Sequence, residues 1–513
     1  MSQKIVIKIG ESNLKNTSDY QRLARVVNAY NTPIVIVVSA YFGLTNQFIS
    51  VLKQAPQDKA AIEEFTIKLL AHNRQLVKEN ILHEELQVST YRDLENSIKK
   101  LHKLLINVHH IGEVPEFLND KILSFGERLS ALFTSRILYS QGIDSEEILP
   151  EDLGLITDGI HGYATCDFER SKKNVRQKLS GNRCYVVPGF YGISQQTKVT
   201  LFGRGGSDYT AAAIAKCIDA KYLDVWKDVD GFLSADPRIV ESPSKINRLS
   251  YNEAAELAYF GARILHPETI SPLKSAYIPL RILNIDDFSN TINPSTIING
   301  TSDIQASIIK SITYSDDFGI LQLNGAGVGA KPGILAEITQ RLDSEKVNIK
   351  SVITSQIAIN ILLSKTDLER AHQNILNIPL KTISQVQVET DISVIAVVGK
   401  GLTEQAGIMY KILGTVASKN INIKTVVMGA SKVSAYLIVK PEDRDPAIKV
   451  IHEHIFETKA ATKIETSEPS SGEFFVKQLR EMPFEKSRLA KGFAQVKFRI
   501  PKEEFNRTDI RNN

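Results

Sequence analysis

Short uninterrupted apolar runs alternate with amphipathic segments through the first half of the chain. Ile5 to Ile9, Ile34 to Val38, Cys184 to Val187 and Tyr222 to Trp226 have the length and β-branched content of strands covered on both faces. Gln21 to Tyr30, Ser124 to Gln141 and Thr210 to Ile218 carry helical spacing between or beside them. That order predicts an α/β sandwich built on a mainly parallel sheet. From Gln47 to Val108 the chain is charged, with Phe65, Leu69, Leu70, Leu76 and Val77 at helical intervals, which reads as a helical insertion over one end of the sheet.

From about residue 315 the pattern changes and occurs twice. Ile320 to Leu323, Gly333 to Ile338, Val347 to Lys350 and Ile359 to Leu363 give strand, helix start, strand, strand; Val394 to Val398, Gly407 to Ile412, Ile421 to Lys424 and Ser434 to Val439 give the same order again. Each copy predicts a small βαββαβ unit. After about residue 456 comes a polar stretch, Lys459 to Glu473, with the composition of a linker; the rest of the tail suggests either an added strand or mobile chain, and no role follows for it.

Composition narrows the class of partner. With 513 residues the chain exceeds one core, and a net charge of +4, dispersed along it, gives no basic face for nucleic acid. Cys166, Cys184 and Cys217 have neither metal-ligand spacing nor a disulfide framework and read as small buried hydrophobes of a reducing compartment. The N-terminus enters a strand without a secretory apolar region, and no window reaches the roughly 20 apolar residues of a membrane span. The expectation is a cytoplasmic protein with neither membrane nor nucleic-acid partner.

Chemistry concentrates in Thr200-Leu-Phe-Gly-Arg-Gly-Gly-Ser-Asp-Tyr-Thr-Ala212. Gly203, Gly205 and Gly206 let backbone approach a ligand, a helix N-terminus presents unsatisfied amides, and Arg204 offers a planar fork for carboxylate or phosphate. Asp208 has a plainer reading as a helix cap. A second polar cluster runs from Trp226 to Arg238, where Asp236 reads as a turn residue.

These segments resemble the aspartate kinases of the amino-acid-kinase superfamily, followed by two ACT domains. The resemblance rests on Lys8-Ile-Gly10, Val37-Val-Ser-Ala-Tyr-Phe-Gly-Leu-Thr45, Ser124-Phe-Gly-Glu-Arg-Leu-Ser130, Gly189-Phe-Tyr-Gly192, the Phe202 to Thr210 loop, Trp226 to Arg238 and Gly261-Ala-Arg-Ile-Leu-His-Pro267, in that order over about residues 3 to 455. It implies a three-layer catalytic domain over residues 1–300 with its helical insertion at about 47–120, ferredoxin-like ACT units over 301–385 and 386–456, and an extension from 457 to 513. No Gly-x-Gly-x-x-Gly follows a strand where a fused dehydrogenase domain would begin.

The activity so implied is transfer of the ATP γ-phosphoryl group to the β-carboxylate of L-aspartate, with Mg²⁺ arriving on the nucleotide and no protein-ligated metal. By the resemblance Lys8 and Asp208 are catalytic, and Ser39, Thr45, Glu127, Arg204 and Ser207 bind substrate. Arg204 would hold the α-carboxylate and Glu127 the ammonium, although by spacing alone Glu127 reads equally as a solvated helix carboxylate. Lys8, Gly10, Lys227, Asp228, Asp230, Arg238 and Arg263 face the nucleotide. His266 reads as a packing residue, since phosphorylating a carboxylate needs no base.

Paired ACT units imply an amino-acid effector, threonine or lysine, and a homodimer or larger assembly. Val328, Gly333, Ile334, Leu335, Ile349, Ser355 and Gln356 are the expected effector residues. Lys350 and Gln356 stand where lysine-sensing relatives carry acids, which favours threonine, another effector or no response; Gly325, Gly327 and Gly329 also fit a simple turn. Three departures touch the nucleotide side, one of them Arg263 where the family has Lys, which keeps the charge and alters the donor geometry. The family's Lys-Phe-Gly-Gly-Thr-Ser is Lys8-Ile-Gly-Glu-Ser-Asn13, so Glu11 brings charge into the turn, and a usual Thr is Lys227, expected to offset Glu11. Glu11 keeps open a third reading, a nucleotide-impaired regulatory subunit, beside a second, another carboxylate or carbamate kinase.

Overall fold

The computed structural model describes residues 3–262, 264–300, 308–329, 331–376 and 382–457. The expectations for Arg263 and for the extension beyond residue 457 therefore lie outside the described residues.

The first strand, β1 (Ile5–Ile9), is flanked by β2 (Ile34–Val38) and β7 (Leu223–Lys227), both parallel to it. With β3 (Ser145–Glu147), β4 (Cys184–Pro188), β8 (Arg248–Ser250), β9 (Leu280–Asn284) and β10 (Thr296–Asn299) they form one eight-stranded sheet, ordered β3-β4-β2-β1-β7-β9-β10-β8. Every pairing in it is parallel except β9 with β10. The hairpin β5 (Tyr191–Ile193) and β6 (Val199–Leu201) stands apart as its own small sheet.

Strand periodicity sorts the two faces. Val6, Val35, Val37, Leu223 and Val225 belong to one buried cluster together with α9 (Gly206–Ile218). Ile5, Ile7, Ile9, Ile36 and Trp226 belong to the other, against α1 (Thr17–Asn28) and α6 (Phe125–Ser140). This is the expected three-layer sandwich, and its parity puts Lys8 and Lys227 on the α9 face. The charged stretch forms α2 (Leu44–Gln54), α3 (Lys59–Asn80), α4 (Glu84–Ile111) and α5 (Glu116–Leu123), with Leu69, Leu76 and Val77 buried.

Helix α1 begins four residues earlier than its apolar periodicity suggests, because Asn16 accepts hydrogen bonds from the amides of Ser18 (3.0 Å) and Asp19 (3.2 Å) and caps it. Helix α9 also begins earlier. Gly205, at φ +73°, turns the chain into it, so Gly205 is the cap and Asp208 lies within the first turn. The reading of Asp208 as the cap is thereby corrected: the glycine turn does that work and frees the carboxylate.

Two antiparallel four-stranded sheets follow. The first contains β12 (Phe318–Asn324), β13 (Ile349–Thr354), β14 (Ala358–Ser364) and β15 (Gln385–Glu389), ordered β13-β14-β12-β15, with α12 (Ile334–Ser344) and α13 (Lys365–Leu376). That is the expected βαββαβ unit. The second contains β16 (Ser393–Val398), β17 (Thr425–Met428) and β18 (Ser434–Val439), with α14 (Ile408–Ser418) and α15 (Pro441–His452). Its fourth strand comes from upstream: β11 (Ser311–Ser315) pairs with β16 and completes the order β11-β16-β18-β17. Sheet membership thus interleaves along the chain, since 311–315 joins the second sheet and 385–389 the first. The strands expected at Val347 to Lys350 and Ile421 to Lys424 start later, at Ile349 and Thr425, because Val347 and Ile421 first bury their side chains at the helix ends.

Candidate active site

Lys8 is the last residue but one of β1 and points to the α9 side, where the first turn of α9 carries Asp208. Their ion pair is 2.7 Å long, and both residues are buried. Lys227, at the end of the neighbouring strand, faces the other carboxylate oxygen at 3.7 Å. Burial alone would raise Asp208, but Lys227 and Lys8 outweigh it and hold the carboxyl below its ordinary range. Burial, helped by the like charge of Lys8, pulls Lys227 down. Lys227 therefore meets Asp208, and not Glu11, as its ion-pair partner.

The backbone around this trio is shaped by small residues. A methyl at Gly189 would stand 2.7 Å from Ser207 Cβ, so only glycine lets β4's exit pass the start of α9. A methyl on Gly205 would strike His266 Cβ at 2.3 Å, which identifies His266 as a packing residue against the glycine turn. Arg204 protrudes from that turn, exposed and without an ion pair among the described residues. Gly10 follows β1 directly, and a methyl placed on it would stand 3.5 Å from the Lys8 ammonium. Ser39, just past β2, donates its amide to Ile9 O (3.2 Å), and Thr45 lies in the first turn of α2.

Glu127, on the first turn of α6, lies buried behind this surface with Oε2 lacking any hydrogen-bond partner. Burial pushes it up to about 8, although the amides of Ala40 and of Glu127 itself pull the other way. Among the described residues no cation forms an ion pair with it, although Lys8 is close enough to pull it down slightly. Carboxylates at the β-strand exits divide into two groups. Asp228 accepts from Ser12 Oγ (3.0 Å), tying the turn after β1 to the turn after β7. Asp230 instead binds Asn284 Nδ2 (2.7 Å) and Lys245 (3.0 Å), away from the Lys8 trio.

Asp230 and Arg238 line a cleft of about 610 Å³ whose far wall is β11, including Tyr314. Arg238 is exposed and forked onto Asp236, with Nε at 3.0 Å from Oδ1 and Nη2 at 2.6 Å from Oδ2. Asp236 accordingly is the turn residue expected. That a strand of the second antiparallel sheet helps wall this cleft has no local mark along the chain.

Across the first antiparallel sheet, the amide of Gly329 donates to Gln356 O (3.3 Å) and that of Gly325 to Ile357 O (2.9 Å). The glycine loop and the Ser355–Gln356 turn are therefore brought together. Val328 and Ile334 are buried, Ile349 is half-buried, Leu335 is exposed, and Gly333 turns the chain into α12 at φ +91°.

Against this geometry, the amino acid kinase family model matches residues 3–284 and an ACT domain model matches residues 395–455. The chain belongs to the amino acid kinase family. Among relatives of this family member, Aspartokinase 2, chloroplastic, of Arabidopsis thaliana is 28% identical over 473 residues, covering 88% of this chain and 84% of its own. A bifunctional aspartokinase/homoserine dehydrogenase of Buchnera aphidicola is 25% identical over 470 residues, and the chain spans 57% of its length. The crystal structure of E. coli aspartokinase III in complex with aspartate and ADP superposes with a TM-score of 0.77 at 23% identity, covering 88% of this chain and all of that one. That likeness extends the kinase fold through both antiparallel sheets. Among the described residues no helix is long and apolar enough to cross a membrane.

Proposed function

We propose that the protein is an aspartate kinase, transferring the ATP γ-phosphoryl group to the β-carboxylate of L-aspartate, with feedback through the ACT sheets. The observation that carries this reading is a pair of opposite charges, neither with an ion pair among the described residues: Glu127, buried with Oε2 unpartnered, and Arg204, an exposed guanidinium. L-aspartate supplies an ammonium and an α-carboxylate for them and leaves its β-carboxylate to react. Ser39, Thr45 and Ser207 offer hydroxyls along the same strand and helix ends. The relatives named aspartokinase support the same substrate.

The acceptor is already an anion, so the barrier is charge repulsion and alignment. Lys8 neutralises transferring phosphoryl oxygens, and Asp208 fixes its ammonium while staying ionised. Lys227 adds a second buried cation at the same carboxylate. Gly10 lets the turn after β1 approach phosphate, and Asp228 orders that turn through Ser12. The Asp230 and Arg238 cleft fits the rest of the nucleotide, with Arg263 in the adjoining segment. Mg²⁺ would arrive carried on the nucleotide phosphates. Bound there it would supply charge neutralisation for the transfer.

Regulation has a route in α10 (Tyr251–Tyr259), which follows β8. Buried Glu253 accepts from the amide of Lys400 (2.9 Å) and pairs with Lys310 (3.3 Å), and Tyr259 OH donates to Lys350 O (3.0 Å). This helix runs into Gly261 and Ala262 of the nucleotide cleft, so an effector on the loop of residues 325–335, with Ile349, Ser355 and Gln356, has a rigid element to act on. Threonine or lysine is the effector class this reading admits, and association through the first antiparallel sheet the assembly.

The deciding experiment is ATP turnover with Mg²⁺ and L-aspartate, trapping acyl phosphate with hydroxylamine, with and without threonine or lysine. Aspartate-dependent hydroxamate is expected. A folded protein that binds amino acid and makes none favours a regulatory subunit, the reading that exposed Glu11 beside Gly10 supports.

The state of Glu127 gives an independent prediction. Its pKa of about 8 means that the empty site is largely protonated near pH 7, and an arriving ammonium favours the carboxylate. L-aspartate binding at about pH 7 is expected to release close to one proton, falling toward zero above about pH 9. Titration calorimetry in two buffers of different ionisation enthalpy measures it; Glu127→Gln should abolish the release, and none in the parent protein would remove Glu127 from the ammonium site. Stability follows the same sign. A raised carboxyl stabilises the folded state below its unfolded value, and that contribution is lost as pH climbs toward about 8.

A further inference from the structure

A cavity of about 310 Å³ lies where α10 meets both antiparallel sheets, near the small end of the size range of small-molecule sites. One flank of α10 packs inward through Tyr251, Ala254 and Leu257; its other flank carries Glu256 and Tyr259 to the cavity wall. Lys350 and Ser351 of β13 form a second wall, and Met428, at the end of β17, with Ser434 of β18 forms the third. None of the described residues of the glycine loop 325–335 lines it.

The walls are held by hydrogen bonds that cross the seam. Ser434 Oγ donates to Glu256 Oε2 (2.8 Å), and the Lys350 ammonium stands 5.1 Å from the centre of the Tyr259 ring. Opposite charges therefore border one small cavity, yet neither Glu256 nor Lys350 has an ion pair among the described residues. Each half-buried charge has forfeited part of its hydration without gaining a direct ion pair, and the carboxylates of Asp367 and Glu268, which act on Lys350 from a distance, do not offset the burial that pulls it down. A ligand carrying both charges a few bonds apart satisfies both at once.

We propose that this seam is a second amino-acid site, separate from the substrate pocket and from the glycine-loop effector site, for an L-α-amino acid with an apolar side chain. Its ammonium faces Glu256 and Ser434, its carboxylate faces Lys350 and Ser351, and its side chain lies against Met428 and the Tyr259 ring. Such a ligand touches the catalytic domain and both sheets simultaneously. Occupancy clamps α10, and through α10 the Gly261 and Ala262 edge of the nucleotide cleft.

Titration calorimetry of the full chain without nucleotide, using each proteinogenic L-amino acid in turn, tests this. At least one apolar amino acid is expected to bind, about tenfold to a hundredfold more weakly in both Glu256→Gln and Lys350→Met. Its N-acetyl and carboxamide derivatives are expected to fail, because each removes one charge. Met428→Trp fills the cavity without touching the charges and should also abolish binding, while L-aspartate binding, the test of the substrate pocket, persists in all three variants. Failure of every apolar amino acid to bind, or unchanged affinity in the three variants, overturns the site whether or not the chain proves to be a kinase.

Discussion

Replacing Lys8 by Met is expected to cut kcat for hydroxamate formation by about 10² to 10³-fold while changing the KM for aspartate far less. Lys8 sits in a site with little water, where a fixed ammonium stabilises developing phosphoryl charge more than it would in bulk solvent. Asp208 keeps Lys227 as a partner in the variant, so the fold of the α9 turn is retained and circular dichroism should match the parent. Lys227→Thr is the informative companion: it removes the more distant cation and should cost less. If Lys8→Met keeps most of its kcat and Lys227→Thr does not, the phosphoryl contact belongs to Lys227.

The second large effect lies in stability. Asp224 of β7 has no exposed surface, and its oxygens are taken by the Arg281 guanidinium, with Nε at 2.6 Å from Oδ1, and by Tyr30 OH at 2.6 Å. Trp226 Nε1 donates to the same phenol (3.0 Å), which ties two residues of β7 to the end of α1. Arg281→Met strands a buried carboxylate and is expected to cost about 3–5 kcal/mol, read from the urea midpoint. Adding Asp224→Asn should recover much of that loss, because a neutral amide tolerates the site. A double variant as unstable as the single one would mean that the guanidinium acts by packing on Tyr222, whose ring lies 4.2 Å away, and not by charge.

The sandwich was legible because its strands are continuous apolar runs and its repeat recurs at a fixed order. Arg204 was legible because a guanidinium stands among glycines in a chain otherwise patterned for burial, whereas Lys8 and Asp208 were singled out only by the family resemblance. What escaped depends on contacts far apart in sequence. Nothing local marks Asp224 as the partner of Arg281, or Glu253 as the capping carboxylate that also reaches Lys400. Lys227 was visible as a departure from the family pattern, but its partner was misjudged, since strand parity sends it to Asp208. The start of α9 was misplaced because an Ala-rich run signals helix more strongly than a glycine that merely permits the turn. The membership of β11 was invisible, because a five-residue strand carries no mark of which sheet it will join.

That strand has a consequence for biosynthesis. Ser311 to Ser315 leave the ribosome well before β16, its neighbour, which begins at Ser393. At about 5–20 residues per second the wait is on the order of ten seconds, during which the whole first antiparallel unit can fold. The nascent chain must carry one open strand edge through that interval. A message truncated after the first unit would leave that edge permanently unpaired and exposed to self-association, so premature stops between the two sheets should yield insoluble protein and not a shorter kinase.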